Sequence, residues 1–91
     1  MKVLRLTLKK KWYDMIASGE KKEEYREPKP YWQTRLENKD FDVIQFRNGY
    51  AKDAPTMVVG FLGMDYGLGN PEWGGGIKPV YILKLGEVFS P

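Results

Sequence analysis

Gly19-Glu20-Lys21-Lys22-Glu23-Glu24-Tyr25-Arg26 is the stretch on which the fold turns, because its first residue ends one kind of structure and its last four begin another. Glycine enters the left-handed backbone region without steric cost, so Gly19 suits a helix C-terminus. Upstream of it, Trp12, Met15 and Ile16 fall at i, i+3 and i+4 and predict a helix from about Lys10 to Ser18 with those three on one face. Before the helix, Leu4, Leu6 and Leu8 alternate with Arg5 and Thr7, which predicts a first strand over Val3 to Leu8. Downstream, Glu23 to Arg26 reads as a second strand, closed off by Pro28 and Pro30.

Further out, Tyr31 to Leu36 predicts one or two helical turns, with Pro30 at the first position and Trp32, Arg35 and Leu36 along one side. Phe41, Val43 and Ile44 to Phe46 predict a strand that ends at the turn signal Asn48-Gly49. A loop through Lys52 and Pro55 leads to a long strand from Thr56 to about Tyr66. Gly67 to Pro79, with five glycines and two prolines around Trp73, is a loop, and long structured loops in small domains are more often functional than connecting. Val80 to Val88 closes the chain as a strand with Tyr81, Leu83 and Leu85 on one face. Residues 1–91 therefore predict a single α+β, mostly β domain, with five to six strands and one or two short helices. A partly closed barrel is the expected arrangement, since closure protects strand edges. Trp12, Phe41, Phe46, Phe61 and Tyr81 are the aromatic residues assigned to its core.

The chain has no cysteine and no histidine, which removes disulfides, Cys/His zinc sites, thiol nucleophiles and His-based triads together. We expect no metal and no cofactor. Any catalysis must use Lys, Glu, Asp, Tyr, a hydroxyl or backbone groups. No apolar run approaches the roughly 18 residues of a membrane span, and Met1 to Leu8 is too short and too charged for a signal peptide. The expectation is a soluble, cytoplasmic protein with no membrane partner. Net charge is +3, but residues 1–35 hold ten Lys/Arg against five Asp/Glu, whereas residues 36–91 hold five against seven. That one-sided excess suits an anion-binding surface, and it also occurs in proteins that bind no anion.

Gly19, Lys21, Glu24 and Arg26 match the Gly-x-Lys-x-x-Glu-x-Arg signature, and in this the sequence resembles ASCH domains of the PUA-like superfamily. Leu6-Thr7-Leu8-Lys9, Met15-Ile16 in the helix and the terminal Val80 to Gly86 also look like that family's opening and closing segments, while residues 27–79 match more loosely. The resemblance implies a PUA-like barrel whose signature residues line a cleft beside the helix and bind RNA or a nucleotide-like ligand. Some branches of the family are amidohydrolases or ribonucleases. In the amidohydrolase branch the Lys assists a Thr three residues later; here Lys21 is present and Glu24 stands at the Thr position. Were the protein an enzyme of that kind, Lys21 and Glu24 would be its catalytic pair, with the carboxylate as base toward water and the ammonium as acid.

The residues themselves permit a parallel reading. Glu24 and Arg26, two apart in an extended segment, share a face, and Tyr25 takes the other. Lys21 and Arg26 suit a phosphate or a base edge, and Glu24 suits an exocyclic amine. The bland alternative is an exposed ion pair contributing about 0–1 kcal/mol. Lys9, Lys10 and Lys11 sit at a helix start, where cations are disfavoured, so Lys9 and Lys11 are candidates for phosphate contact. Tyr50 and Trp73 are the best aromatic candidates for ligand contact, and Arg47 and Asn48 occupy a turn from which they can face a ligand, an ordinary hairpin turn being the equal alternative. A third class is an accessory protein-interaction module using the loop around Trp73; nothing in the sequence identifies its partner.

Overall fold

Alternating apolar residues become a sheet here because each strand turns one side to a shared interior. In a computed structural model of the chain, which describes residues 1–90, the elements run β1 (Val3–Leu8), α1 (Lys10–Ala17), β2 (Glu23–Arg26), α2 (Pro30–Leu36), β3 (Val43–Asn48), β4 (Thr56–Gly67), a 3-10 turn at Pro71–Trp73, and β5 (Val80–Ser90). The five strands among the described residues form one sheet in the order β1-β3-β4-β5-β2, curled into a half-barrel. β1 runs parallel to β3, with Val3 opposite Val43 and Leu8 opposite Asn48, and the other neighbours are antiparallel. The domain is thus mostly β, a small partly closed barrel with two short α-helices. No helix among the described residues is long and apolar enough to cross a membrane.

Two consecutive strands, β1 and β2, form the two edges of this sheet. They exchange no ladder bonds with each other, so the barrel stays open along that seam, and the connection carrying α1 runs from one edge to the other. The curl is produced on the opposite side, where β4 and β5 slip register between Val58 and Gly63. Such bulges bend a strand and increase its twist, which lets a five-stranded sheet wrap round a small core.

Leu4, Leu6 and Leu8 of β1, Ile44 and Phe46 of β3, Met57 and Val59 of β4, and Tyr81, Leu83 and Leu85 of β5 fill the interior from four strands. Helix α1 adds Tyr13 and Ile16, and α2 adds Leu36. The core-facing pair on α1 is therefore Tyr13 and Ile16, whereas the apolar spacing pointed to Trp12, Met15 and Ile16; Trp12 and Met15 are only half-buried. The aromatic core assignment holds for Phe46 and Tyr81. It needs correction for Trp12, Phe41 and Phe61, which pack against the core from its margin. Ring size favours burial, but Trp12 packs on Gly74 beside the open seam, and Phe41 and Phe61 meet edge-on at 6.0 Å at the margin of the core.

Phe46 is fully enclosed, at 0% exposure. Phe46→Ala is expected to lower the unfolding free energy by about 3–5 kcal/mol, read from urea denaturation. Phe89→Ala, at an exposed ring, should change it by no more than about 0.5 kcal/mol.

Candidate ligand-binding cavity

Helix α1 ends at Ala17 with Ser18 as its C-cap, and Gly19 follows with φ of 85°, the left-handed turn that its position required. The chain then folds back under the helix: Lys21 N–H donates to the Met15 carbonyl at 3.0 Å, and Leu85 N–H donates to the Lys22 carbonyl at 3.0 Å. These two bonds draw residues 20–22 between α1 and β5. Lys21 in consequence is 1% exposed, one of the largest fully enclosed side chains among the described residues.

The buried ammonium donates to Glu24 Oε1 and, at 2.6 Å, to the Glu23 carbonyl. It also lies 5.3 Å from the ring centroids of both Trp12 and Tyr25. Glu24, 4% exposed, accepts from Arg26 Nη1 through its other oxygen. Arg26 Nη1 donates again to the Tyr25 carbonyl at 3.0 Å, and Nη2 reaches across the seam to the Thr7 carbonyl of β1 at 3.3 Å. Lys21, Glu24 and Arg26 are therefore one continuous chain of charge, ending on the opposite edge of the sheet. Burial pushes the Lys21 ammonium below its ordinary pKa, and the neighbouring Glu24 carboxylate opposes that shift.

Along the same seam lies a cavity of about 780 Å³. Of the residues singled out from sequence, Lys9, Glu24, Arg26, Tyr50 and Trp73 line it. Lys21 does not; it sits behind Glu24. Lys11 lies outside the lining, its ammonium 4.6 Å from the Trp12 ring centroid. Arg47 and Asn48 are also outside it: Arg47 Nη2 donates to the Ala51 carbonyl, and Asn48 N–H donates to the Pro55 carbonyl, so both tie down the loop after β3.

Sequence reasoning did not select Arg5, Tyr31, Trp32 and Arg35, which complete the wall. Arg5 had a signal in the β1 alternation, since it points away from the core. The α2 residues form a compact cluster: Tyr31 meets the Trp32 ring edge-on at 4.9 Å, Arg35 lies 5.4 Å from the Tyr31 ring and 5.8 Å from the Trp32 ring, and Arg26 lies 5.1 Å from Trp32. The placing of Trp32 and Arg35 along one side of a short helix was legible; their convergence with Arg26 was not.

The glycine-rich loop forms a further wall and is anchored by two aromatic residues, Trp12, which packs on Gly74, and Tyr25. Tyr25 donates its hydroxyl to Glu23 Oε1 at 2.7 Å and accepts from Asn70 N–H at 2.8 Å. Gly69 packs so tightly on the Tyr25 ring that a Cβ there would come within 2.7 Å of it, and a Cβ on Gly75 would meet the Gly69 backbone at 2.3 Å. These glycines serve close approach. Among the described residues, no group of three or more His, Cys, Asp or Glu side chains is arranged to hold a metal ion.

Lys21→Ala would leave Glu24 buried with one of its two partners, an expected loss of about 3–5 kcal/mol in urea denaturation. A loss below about 1 kcal/mol, the range of exposed pairs, would contradict the burial described here. The Tyr25 phenol is pushed up to about 12 by burial and by its bond to Glu23. Because this lies above the ordinary value of about 10, Tyr25 contributes stability that is complete below about pH 10 and is lost as pH rises toward 12. Phenolate absorbance should show a late-titrating phase that Tyr25→Phe reduces. No protein-family model matches this chain, nor does any curated protein or solved structure.

Proposed function

We propose that this protein is an ASCH-like binding module that holds RNA or a nucleotide-like ligand in the cavity between β1, β2 and α2. One observation carries this: four cationic side chains, Arg5, Lys9, Arg26 and Arg35, share the cavity lining with a single carboxylate, Glu24, which is already paired with two cations. The lining is thus positive and set among aromatic rings, the combination that takes phosphates and unpaired bases together. Helix α1 begins beside Lys9 with no side-chain cap and no acidic residue in its first turn, which favours an anion on the same side.

Arg26 is the residue best placed to recognise a ligand. Its guanidinium has five N–H donors, and the three bonds to Glu24, Tyr25 and Thr7 leave two for a phosphate or a base edge. Lys21 supports it indirectly, by holding Glu24, which holds Arg26. A hydrolytic role draws less support. Both oxygens of Glu24 are engaged by cations, and Lys21 is separated from the cavity, so neither group is free to move a proton to a bound substrate.

Single-stranded RNA should bind with affinity that falls as salt is raised. If three or four cations each neutralise a phosphate, log K against log[salt] should have a slope of about −2 to −3. Arg5→Ala should make that slope shallower by about 0.7, measured by fluorescence anisotropy at several salt concentrations. Absence of binding at low salt, or a slope insensitive to Arg5, would refute the proposal.

A further inference from the structure

Six aromatic residues line the cavity, and they fall into two groups by what already covers them. Trp12 packs on Gly74 and carries the ammonium groups of Lys11 and Lys21 near its ring. Tyr25 is covered by Gly69 and lies beside Lys21. Trp32 is flanked by Arg26, Arg35 and Tyr31. These three rings are spent on holding the wall together.

Tyr31, Tyr50 and Trp73 are different. Tyr31 is 62% exposed and Tyr50 is 88% exposed, and Trp73 is half-buried with no ring or cation stacked on it among the described residues. They come from three separate elements, α2, the loop after β3 and the 3-10 turn, yet all border one cavity. Two of the three are held in place: Tyr31 by the edge of Trp32 and the Arg35 guanidinium, and Trp73 by its N–H bond to the Asn70 carbonyl at 2.9 Å within the anchored loop. Tyr50 and Trp73 carry no ring or cation among the described residues, and Tyr31, although Arg35 lies over its ring, remains largely in water, so all three offer ring surface around a positive floor. Every base has a π-face, so each such ring is a stacking position that tolerates any sequence.

Resting on the proposed nucleotide-binding role, we infer that the ligand is a short single strand of about three nucleotides, its bases stacked on Tyr31, Tyr50 and Trp73 and its phosphates on Arg5, Lys9 and Arg35. A cavity of about 780 Å³ would also admit one nucleotide, so volume does not make this choice. The separation of the free rings onto three elements does. A lone base stacks on one or two rings and leaves the rest exposed, whereas a strand uses all three.

The test is isothermal titration of the protein with mono-, di-, tri- and hexanucleotides of ribo and deoxy type, together with an abasic trinucleotide of equal charge. Affinity should rise roughly five-fold or more per added base and level off near three. The abasic strand should bind at least about ten-fold more weakly than its base-bearing counterpart. Tyr31→Ala and Tyr50→Ala, both at exposed positions that folding tolerates, should each weaken the trinucleotide about five-fold or more, and Tyr50→Phe should restore it. A plateau reached at one nucleotide would overturn this inference while leaving nucleotide binding intact, and equal binding of abasic and normal strands would overturn it in favour of charge alone. No binding at any length at low salt would overturn both this inference and the function beneath it. Preference between the ribo and deoxy series identifies which strand the same stacking sites accept.

Discussion

The buried carboxylate of Glu24 governs this structure. An ion removed from water is disfavoured by several kcal/mol unless its partners are close and its lone pairs are filled. Glu24 meets that requirement with two cations, one on each oxygen, and those cations are fixed to different parts of the fold. Lys21 is locked beneath α1 by its N–H bond to the Met15 carbonyl and by the bond that the neighbouring Lys22 carbonyl accepts from Leu85 N–H, and Arg26 is bonded across the seam to β1. The charge chain therefore fastens the turn after α1 to the edge of β2, and the edge of β2 to the edge of β1. Where the sheet lacks a ladder to close itself, side chains supply the connection.

The same chain carries a residual charge. Two cations and one anion leave one positive charge in excess, and its outermost member, Arg26, faces the cavity with its side chain 16% exposed. In the proposed reading, stability and ligand contact use the same group in different ways. The buried side of Arg26 is satisfied by protein acceptors, which fixes its orientation, and the remaining donors are held ready without rearrangement. Preorganised donors bind with less ordering entropy to offset than donors on a free side chain.

Much of the scaffold was legible because its signals are local. The alternation in Leu4-Arg5-Leu6-Thr7-Leu8, the prolines after Arg26 and Gly19 after α1 each report a backbone preference that tertiary contacts then reinforce. What was not legible depended on packing between distant segments. The helical spacing on α1 pointed to Trp12 as the inward ring, but Gly74, 62 residues beyond it, packs on that ring beside the loop and Tyr13 takes the inward place. Lys21 reads as a cleft-lining residue beside Glu24 and Arg26; its depth behind Glu24 is set by the two backbone bonds that pull residues 20–22 inward. Arg47 and Asn48 read as free turn residues because their acceptors, Ala51 and Pro55, belong to the loop that follows. The α2 wall escaped selection for a similar reason: its rings and Arg35 become a site only once Arg26 is beside them.

Catalysis by Lys21 and Glu24 would ask this arrangement to do two incompatible things. A general base needs a lone pair open to a substrate proton, and a general acid needs a proton path to the leaving group. Freeing Glu24 for the first role would break its bond to Arg26 or to Lys21, and with it either the tie across the seam or the pairing of a buried cation. With a threonine at position 24 there would be no carboxylate to hold, and a lysine at 21 would be free to serve the hydroxyl. The carboxylate changes the assignment of its neighbours: Lys21 is the counter-charge behind it, Arg26 keeps two donors toward the cavity, and the ions behind the seam maintain its shape.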